Sequence, residues 1–328
     1  MSGSAGTESP QNQALAQGPG NDEIPKSVVL TLAYDGTAFR GWQRLPGAGR
    51  TVQEAVENAL VAISGQGLPV SGASRTDGGV HASGQCAMFR SARVPEPDRL
   101  LRTLNKALPG DVACLGARMA VHNFDPRYRA TAKTYIYRLH DGTHPDKTAG
   151  RYSFHVDAKL DDEAMIEALS LLAGEHDFSA FTNAKPALDR VGLGNERGKA
   201  AGRGAARDFI RHLSGTRLER KGAVIGLIFK GDGFLYNQVR IMAAAVVACG
   251  AGRMTPADVA RLLKTGDRGS APGALSARGL RLAGVDYRES DFISGYVSAG
   301  PAPGNAEGLP PAEALASKPF LRYVLRQP

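Results

Sequence analysis

Cysteine is scarce in this 328-residue chain: three are present, Cys86, Cys114 and Cys249, far apart and with no C-x-x-C pair among them. Such spacing supports neither a disulfide framework nor a structural zinc site, and no His-rich spacing offers a metal ligand set in their place. The same scarcity points to the reducing cytosol as the compartment. Long apolar runs are also missing. The most apolar helical stretch, Ile241 to Cys249, is too short to span a bilayer, and the N-terminus lacks the basic start and apolar segment of a secretory signal. No membrane or export segment is expected. Acid is short relative to base: 32 Asp and Glu stand against 40 Lys and Arg, a formal charge of +8. That balance favours a polyanionic partner. At 42% hydrophobic residues, the chain can bury a substantial core as a soluble protein of one large or two smaller domains.

Residues 1–25 contain no basic residue and no apolar period, being rich in Gly, Ser, Gln, Asn and Pro, and read as a disordered tail. The folded part starts at Lys26. VVLTLAY (Val28 to Tyr34) reads as a buried strand. TVQEAVENALVAI then opens a helix with Thr51 and Glu54 in capping-box register and Val52, Val56, Ala59, Leu60 and Ile63 on one face. KTYIYRL (Lys133 to Leu139) alternates as a strand, and DDEAMIEALSLLAG follows as a helix with Asp162 near its start and Gly174 at its end. Residues 210–229 read as two strands joined through Arg220, Lys221 and Gly222, followed by a helix from about Tyr236 and another capped by Thr255 with Pro256 in first position. Two strand-and-helix halves, 26–120 and 121–289, are predicted, with strands and helices mixed rather than strictly alternating, which favours α+β. Gly192 to Arg207 is glycine-rich and basic, a surface loop or a flexible phosphate contact. From 290 to 328 Pro and Ala accumulate, and a second loosely ordered tail is expected.

One stretch is chemically dense. SRTDGGVHASGQ (Ser74 to Gln85) places an arginine, an aspartate, two glycines and a histidine close together. The glycines put Asp77 in a loop, with a strand expected only after Gln85. An Asp before Gly ordinarily just closes a turn. Here Arg75 stands two residues before it, where extended backbone projects both side chains to one side and a guanidinium keeps a carboxylate ionised. An ionised carboxylate can act as nucleophile or base. Gly78 and Gly79 remove bulk beside it so that a ligand can approach, and His81 adds a polar group. The residues alone stop at an activated carboxylate on a glycine-rich loop of a basic protein. A retaining glycosidase would need a second carboxylate about 5 Å away, and no spacing singles out Asp35, Asp125 or Asp232.

The stretch SRTDGGVHASGQ resembles the hallmark loop of the bacterial tRNA pseudouridine synthase A family. The resemblance extends through YDGTAFRGWQ (Tyr34 to Gln43) followed by RTVQEAVENAL, LNKALPGDV (Leu104 to Val112), FDPRYRATAKTYIYRL (Phe124 to Leu139), LLAGEHDFSAF (Leu171 to Phe181), FLYNQVR (Phe234 to Arg240) and ARGLRLAGVDY (Ala277 to Tyr287), all in the family's order. It covers most of Lys26 to Tyr287.

The resemblance implies the pseudouridine synthase α+β fold, two related halves of antiparallel sheet with flanking helices and an RNA-binding cleft between them. It implies an isomerase that converts uridine to pseudouridine at positions 38, 39 and 40 of the tRNA anticodon stem-loop, in the cytoplasm, as a homodimer, with no cofactor and no metal. Asp77 falls on the catalytic aspartate, the nucleophile that attacks ribose C1′ or acts on the sugar by another route. Tyr135 falls on the tyrosine that packs on the target base, where period two alone would leave Tyr135, Tyr137 and Leu139 as core. Arg240 falls on the arginine beside the aspartate, which with Arg75 would hold the acid's pKa low. Leu280 and Leu282 would line the apolar wall beneath the base. Arg40, Arg44, Arg50, Arg127, Arg129 and Lys133 would supply the basic rim for tRNA. Ser74, Gly78, Ala244 and Ser276 depart from the family's usual glycine, alanine, glycine and proline. Two rivals stand beside the isomerase: a catalytically silent RNA-binding protein on the same scaffold, with Tyr135 as a stacking platform, and a carboxylate-dependent nucleoside or glycoside hydrolase.

Overall fold

The computed structural model describes residues 25–47, 49–142, 150–184, 209–298 and 318–325. The expected N-terminal tail, apart from Pro25, and the glycine-rich stretch 192–207 lie outside the described residues.

The strands, in chain order, are β1 (Lys26–Tyr34), β2 (Ser71–Gly72), β3 (His81–Ser91), β4 (Val112–Ala120), β5 (Ala132–Asp141), β6 (Phe154–Val156), β7 (Gly174–Asp177), β8 (Ile210–Leu213), β9 (Gly215–Lys221), β10 (Val224–Gly231), β11 (Leu280–Asp286) and β12 (Phe292–Ser298). The helices are α1 (Val52–Ser64), α2 (Pro97–Ala107), α3 (Asp162–Leu172), α4 (Gln238–Gly250) and α5 (Pro256–Thr265), with a short helix at Leu321–Val324. Ten strands form one sheet in the order β12-β4-β1-β3-β11-β5-β10-β9, with β2 added beside β3 and β6 beside β5, while β7 and β8 pair separately. The architecture is α+β. Along the main path every pairing is antiparallel except one, the β3–β11 seam, where Arg281 lies opposite His81 and Leu282 opposite Ala82. Two antiparallel half-sheets therefore meet at a parallel contact of two residue pairs. That seam begins just downstream of Asp77 and just after Leu280.

Local sequence explains most elements. Thr51 caps α1 by accepting the Glu54 N–H, and Val52, Val56, Ala59 and Leu60 are buried, as their spacing requires. Gly65 ends α1 in the left-handed conformation at φ 72°. α3 is capped by Asp161, one residue ahead of the acid chosen from sequence. α5 has a full capping box between Thr255 and Asp258, with Pro256 in its first turn. α4 is buried on nearly every side, which its run of Ala, Val and Cys permits and its lack of a polar face demands.

Both faces of the sheet are covered. Val28, Leu30, Leu32 and Tyr34 of β1 join Val56 and Leu60 of α1 and Leu100 and Leu104 of α2 in the main core. On the opposite face, Ala33 of β1 with Ala113 and Leu115 of β4 forms a second core with Tyr152, Phe320, Leu321 and Val324. Of the loosely ordered tail expected from 290, residues 299–317 and 326–328 lie outside the described residues, and two pieces are described. Phe292–Ser298 pairs with β4 as an edge strand, and residues 318–325 pack on the sheet. Pro and Ala enrichment between these pieces masked their own apolar spacing.

Candidate active site

The loop between β2 and β3 carries Asp77, and a second loop, following β1, braces it from beneath. Gly41 bridges to Asp77 in antiparallel fashion. Trp42 N–H donates to the Thr76 carbonyl at 3.0 Å and Gly79 N–H to the Phe39 carbonyl at 3.3 Å. Side chains fasten the same loop to β1 and β3. The Tyr34 and Thr76 hydroxyls are 2.8 Å apart. Fully buried Gln85 donates to the Ser74 carbonyl at 2.7 Å and accepts from the Ser74 N–H at 3.3 Å. Gly79 sits at φ 82°, a conformation that a side chain would strain. Its role is to turn the chain back into β3 after the aspartate.

Arg240, in the first turn of α4, meets Asp77 from the other half of the sheet, with Nη1 3.3 Å from Oδ2. The guanidinium is held on two further sides: Nε donates to the Leu275 carbonyl at 2.7 Å and Nη1 to Asn237 Oδ1 at 2.9 Å. Asn237 is the N-cap of α4, at φ 60° the one non-glycine residue with positive φ among the described residues. Asparagine tolerates that region through its short polar side chain. Burial pushes the Asp77 carboxyl above the ordinary aspartate range, and Arg240 opposes that shift by its charge and hydrogen bond.

The pair opens into a cleft of about 300 Å³, whose lining includes Arg75, Arg127, Lys133, Tyr135, Phe234, Tyr236 and Leu280. Tyr135 is 8% exposed and packs edge-on against Phe234, with centroids 5.2 Å apart at 83°. Burial pushes its hydroxyl up to about 12, so the phenol is neutral at physiological pH. Lys133 donates to the Ala73 carbonyl at 2.8 Å, and burial, aided by Arg127, pushes its ammonium down to about 8. Tyr137, next along the same strand face, is fully buried core, its hydroxyl donating to the Ser276 carbonyl at 2.7 Å.

The structure brings together Asp77, Arg240, Tyr135 and Leu280, and places Arg75 on the same cleft in a different role. Arg75 is exposed, and Arg240 rather than Arg75 opposes the burial shift of Asp77. The i, i+2 argument needs a regular strand, whereas the chain turns at Asp77. The expectation that cations hold the Asp77 pKa low is likewise corrected, because burial outweighs Arg240. His81 is not a loop residue: it is buried as the first residue of β3. Leu282 is buried in the core and does not line the cleft. Of the expected basic rim, Arg127 and Lys133 line the cleft. Arg44 pairs with Glu57, Arg50 with Asp111 and Arg129 with Asp291. Asn237 went unread in the sequence, although asparagine is favoured both as a helix N-cap and at positive φ.

Among the described residues no group of three or more His, Cys, Asp or Glu side chains is placed to hold a metal ion, and no helix is long and apolar enough to cross a membrane. A family model described as tRNA pseudouridine synthase matches residues 31–129 and 168–288, about two-thirds of the chain. The chain is 33% identical over 262 residues to tRNA pseudouridine synthase A of Acetivibrio thermocellus, covering 80% of this chain and 100% of the relative. It is 36% identical over 265 residues to tRNA pseudouridine synthase A of Citrifermentans bemidjiense, covering 80% and 98%. It is 32% identical over 262 residues to tRNA pseudouridine synthase A 2 of Clostridium perfringens, covering 80% and 100%. With its matched residues carrying both Asp77 and Arg240, the chain belongs to the tRNA pseudouridine synthase family, isomerases of uridine in tRNA.

Proposed function

We propose that this protein isomerises uridine to pseudouridine at positions 38, 39 and 40 of the tRNA anticodon stem-loop, with Asp77 as the essential carboxylate and no cofactor, as a cytoplasmic homodimer. The observation that carries the reading is the Asp77–Arg240 ion pair at the floor of a cleft walled by Tyr135 and Leu280. A uridine leaves its stack to reach such a cleft, and an aromatic wall holds the extruded base. Asp77 then attacks C1′ or acts on the sugar by another route. The C1′–N1 bond breaks, the uracil turns, and C1′–C5 forms. The hydrogen on C5 leaves as a proton and N1 gains one, so the product has the mass of the substrate. Arg240 holds the acid in place and favours its ionised form.

Retention of the acid and its arginine favours the isomerase over a silent RNA-binding protein, and a hydrolase would release free base. The test is tritium release from an unmodified tRNA transcript labelled at uracil C5. Wild type should release label, and both Asp77→Ala and Asp77→Asn should abolish release while still binding tRNA. Release that survives either substitution removes Asp77 from the chemistry, and tight binding without release by wild type favours the silent protein.

A further inference from the structure

Behind the Asp77 loop lies a segment from the far end of the chain. Residues 318–325 fall beyond the residues matched to the family, which end at 288. Phe320, Leu321 and Val324 are buried on the sheet face made by Ala33, Ala113 and Leu115. Alanine at two of these three positions leaves room for a short helix to lie close to the strands. The segment is anchored at both ends. Buried Lys318 donates to the carbonyls of Leu108 at 2.9 Å and Pro109 at 2.7 Å. Arg281 of β11 donates to the Val324 carbonyl, and Arg138 of β5 to the Tyr323 carbonyl.

From this segment a chain of contacts leads to the catalytic loop. The Tyr323 ring stacks on Tyr152 at 5.2 Å and 11°. The Tyr152 hydroxyl donates to Asp35 Oδ2 at 2.8 Å. Asp35 Oδ1 lies 3.3 Å from His81 Nδ1, and the Gly36 nitrogen lies 3.1 Å from the same ring atom. Burial raises the Asp35 pKa, but hydrogen bonds from His81, Thr37 and Tyr152 outweigh it and hold the carboxyl well below the usual range. This hub is therefore an ionised, multiply bonded acid, and it sits directly under the loop. His81 opens β3, and Gly36 approaches Val80 so closely that a Cβ would lie 1.9 Å from the Val80 oxygen. Val80 N–H in turn donates to the Asp77 carbonyl at 3.2 Å. The space left in the cavity lined by His81, Tyr152, Tyr323 and Val324 is about 10 Å³. The contact has no slack.

We propose that residues 318–325 form a strap that sets the position of the catalytic loop, with Tyr323 and Tyr152 as positioning residues acting on Asp77 through Asp35 and His81. The proposal rests on the reading of Asp77 given above. The full-length variants Tyr323→Ala, Tyr323→Phe and Tyr152→Phe test it by two readouts, amide hydrogen exchange across 35–41 and 76–82 and steady-state C5-tritium release. Tyr323→Ala and Tyr152→Phe should speed exchange in both segments and lower kcat roughly tenfold, since small displacements of a reacting group cost rate steeply. KM for tRNA should stay within about twofold, because no substrate contact is removed. Tyr323→Phe, which keeps the stacked ring, should behave like wild type. Unchanged exchange in Tyr323→Ala overturns the strap whatever the activity, and equal losses for Tyr323→Ala and Tyr323→Phe overturn the stacking route. Should Tyr323→Ala fail to fold, Tyr152→Phe, which deletes only the hydroxyl on Asp35, decides the matter. Absence of tritium release by wild type would refute the Asp77 reading, while exchange would still decide whether the strap holds the loop.

Discussion

Asp77 is set between two opposing influences, and their balance is measurable. Its carboxyl is raised by burial and lowered by Arg240. With Asp77 acting in its ionised form, as proposed, activity should be lost as pH falls through the raised pKa, earlier than for an ordinary aspartate near 3.8. Removing the main opposing charge in Arg240→Gln should move the acid limb of kcat/KM to higher pH, whereas Arg75→Gln should leave that limb in place. A pH–rate profile of the three proteins checks this, and an equal shift in Arg75→Gln would restore the sequence-based pairing. Tyr135 separates stacking from hydroxyl chemistry. Tyr135→Phe keeps the ring and its packing on Phe234 and should lose less tritium-release activity than Tyr135→Ala, whereas equal losses would assign the work to the hydroxyl. At this scale the sequence was readable where a motif concentrates unusual residue types, as around Asp77. It was unreadable for Asn237, and Arg240 was reached through the family resemblance rather than from any local pattern, because both depend on the first turn of α4 arriving across the sheet.

The elements show where local sequence is sufficient. β1, α1, β5 and α5 follow from alternation, apolar spacing and caps that need no tertiary partner to recognise. The α5 cap offers a direct check: Thr255→Ala removes the acceptor for Asp258 N–H and one of the two Thr255 donors to its carboxylate, and should destabilise the protein by about 1 kcal/mol in urea unfolding. Tritium release at a temperature well below the transition should be unchanged, since α5 supplies no residue to the cleft lining. β3 was expected to start after Gln85 and starts at His81, because Ala82 and Gly84 carry no strand signal: Ala82 is drafted into the sheet by pairing with Tyr34 of β1 and Leu282 of β11, and Gly84 lies close against the Ala283 and Gly284 backbone of β11. The C-terminal pieces escaped notice for a similar reason. Phe292–Ser298 gains its strand from the free edge of β4, and Leu321–Val324 is too short to show a period, so its burial is decided by the alanines on the sheet beneath it.

At the scale of the whole molecule, the β3–β11 seam puts the acid of one half against the arginine of the other, so the cleft exists only when both half-sheets are docked. Charge follows the same geometry. The formal excess of +8 is spread over many residues, several of which are spent on internal ion pairs, yet exposed Arg75 from the first half and exposed Arg127 from the second line one cleft. If tRNA enters there, these two guanidiniums meet backbone phosphates on opposite sides of the extruded nucleotide, and each releases counterions on binding. The affinity of the wild-type protein for unmodified tRNA should then fall steeply with salt. Arg75→Gln and Arg127→Gln should each reduce the slope of log affinity against log salt by about one, and the double variant by about two. Saturating kcat should change little, because neither side chain holds Asp77. Fluorescence titrations of labelled tRNA over a salt series measure the slopes. Slopes unchanged in both variants would mean that the RNA backbone tracks another face of the molecule, and a loss in only one would place the phosphates on that half alone.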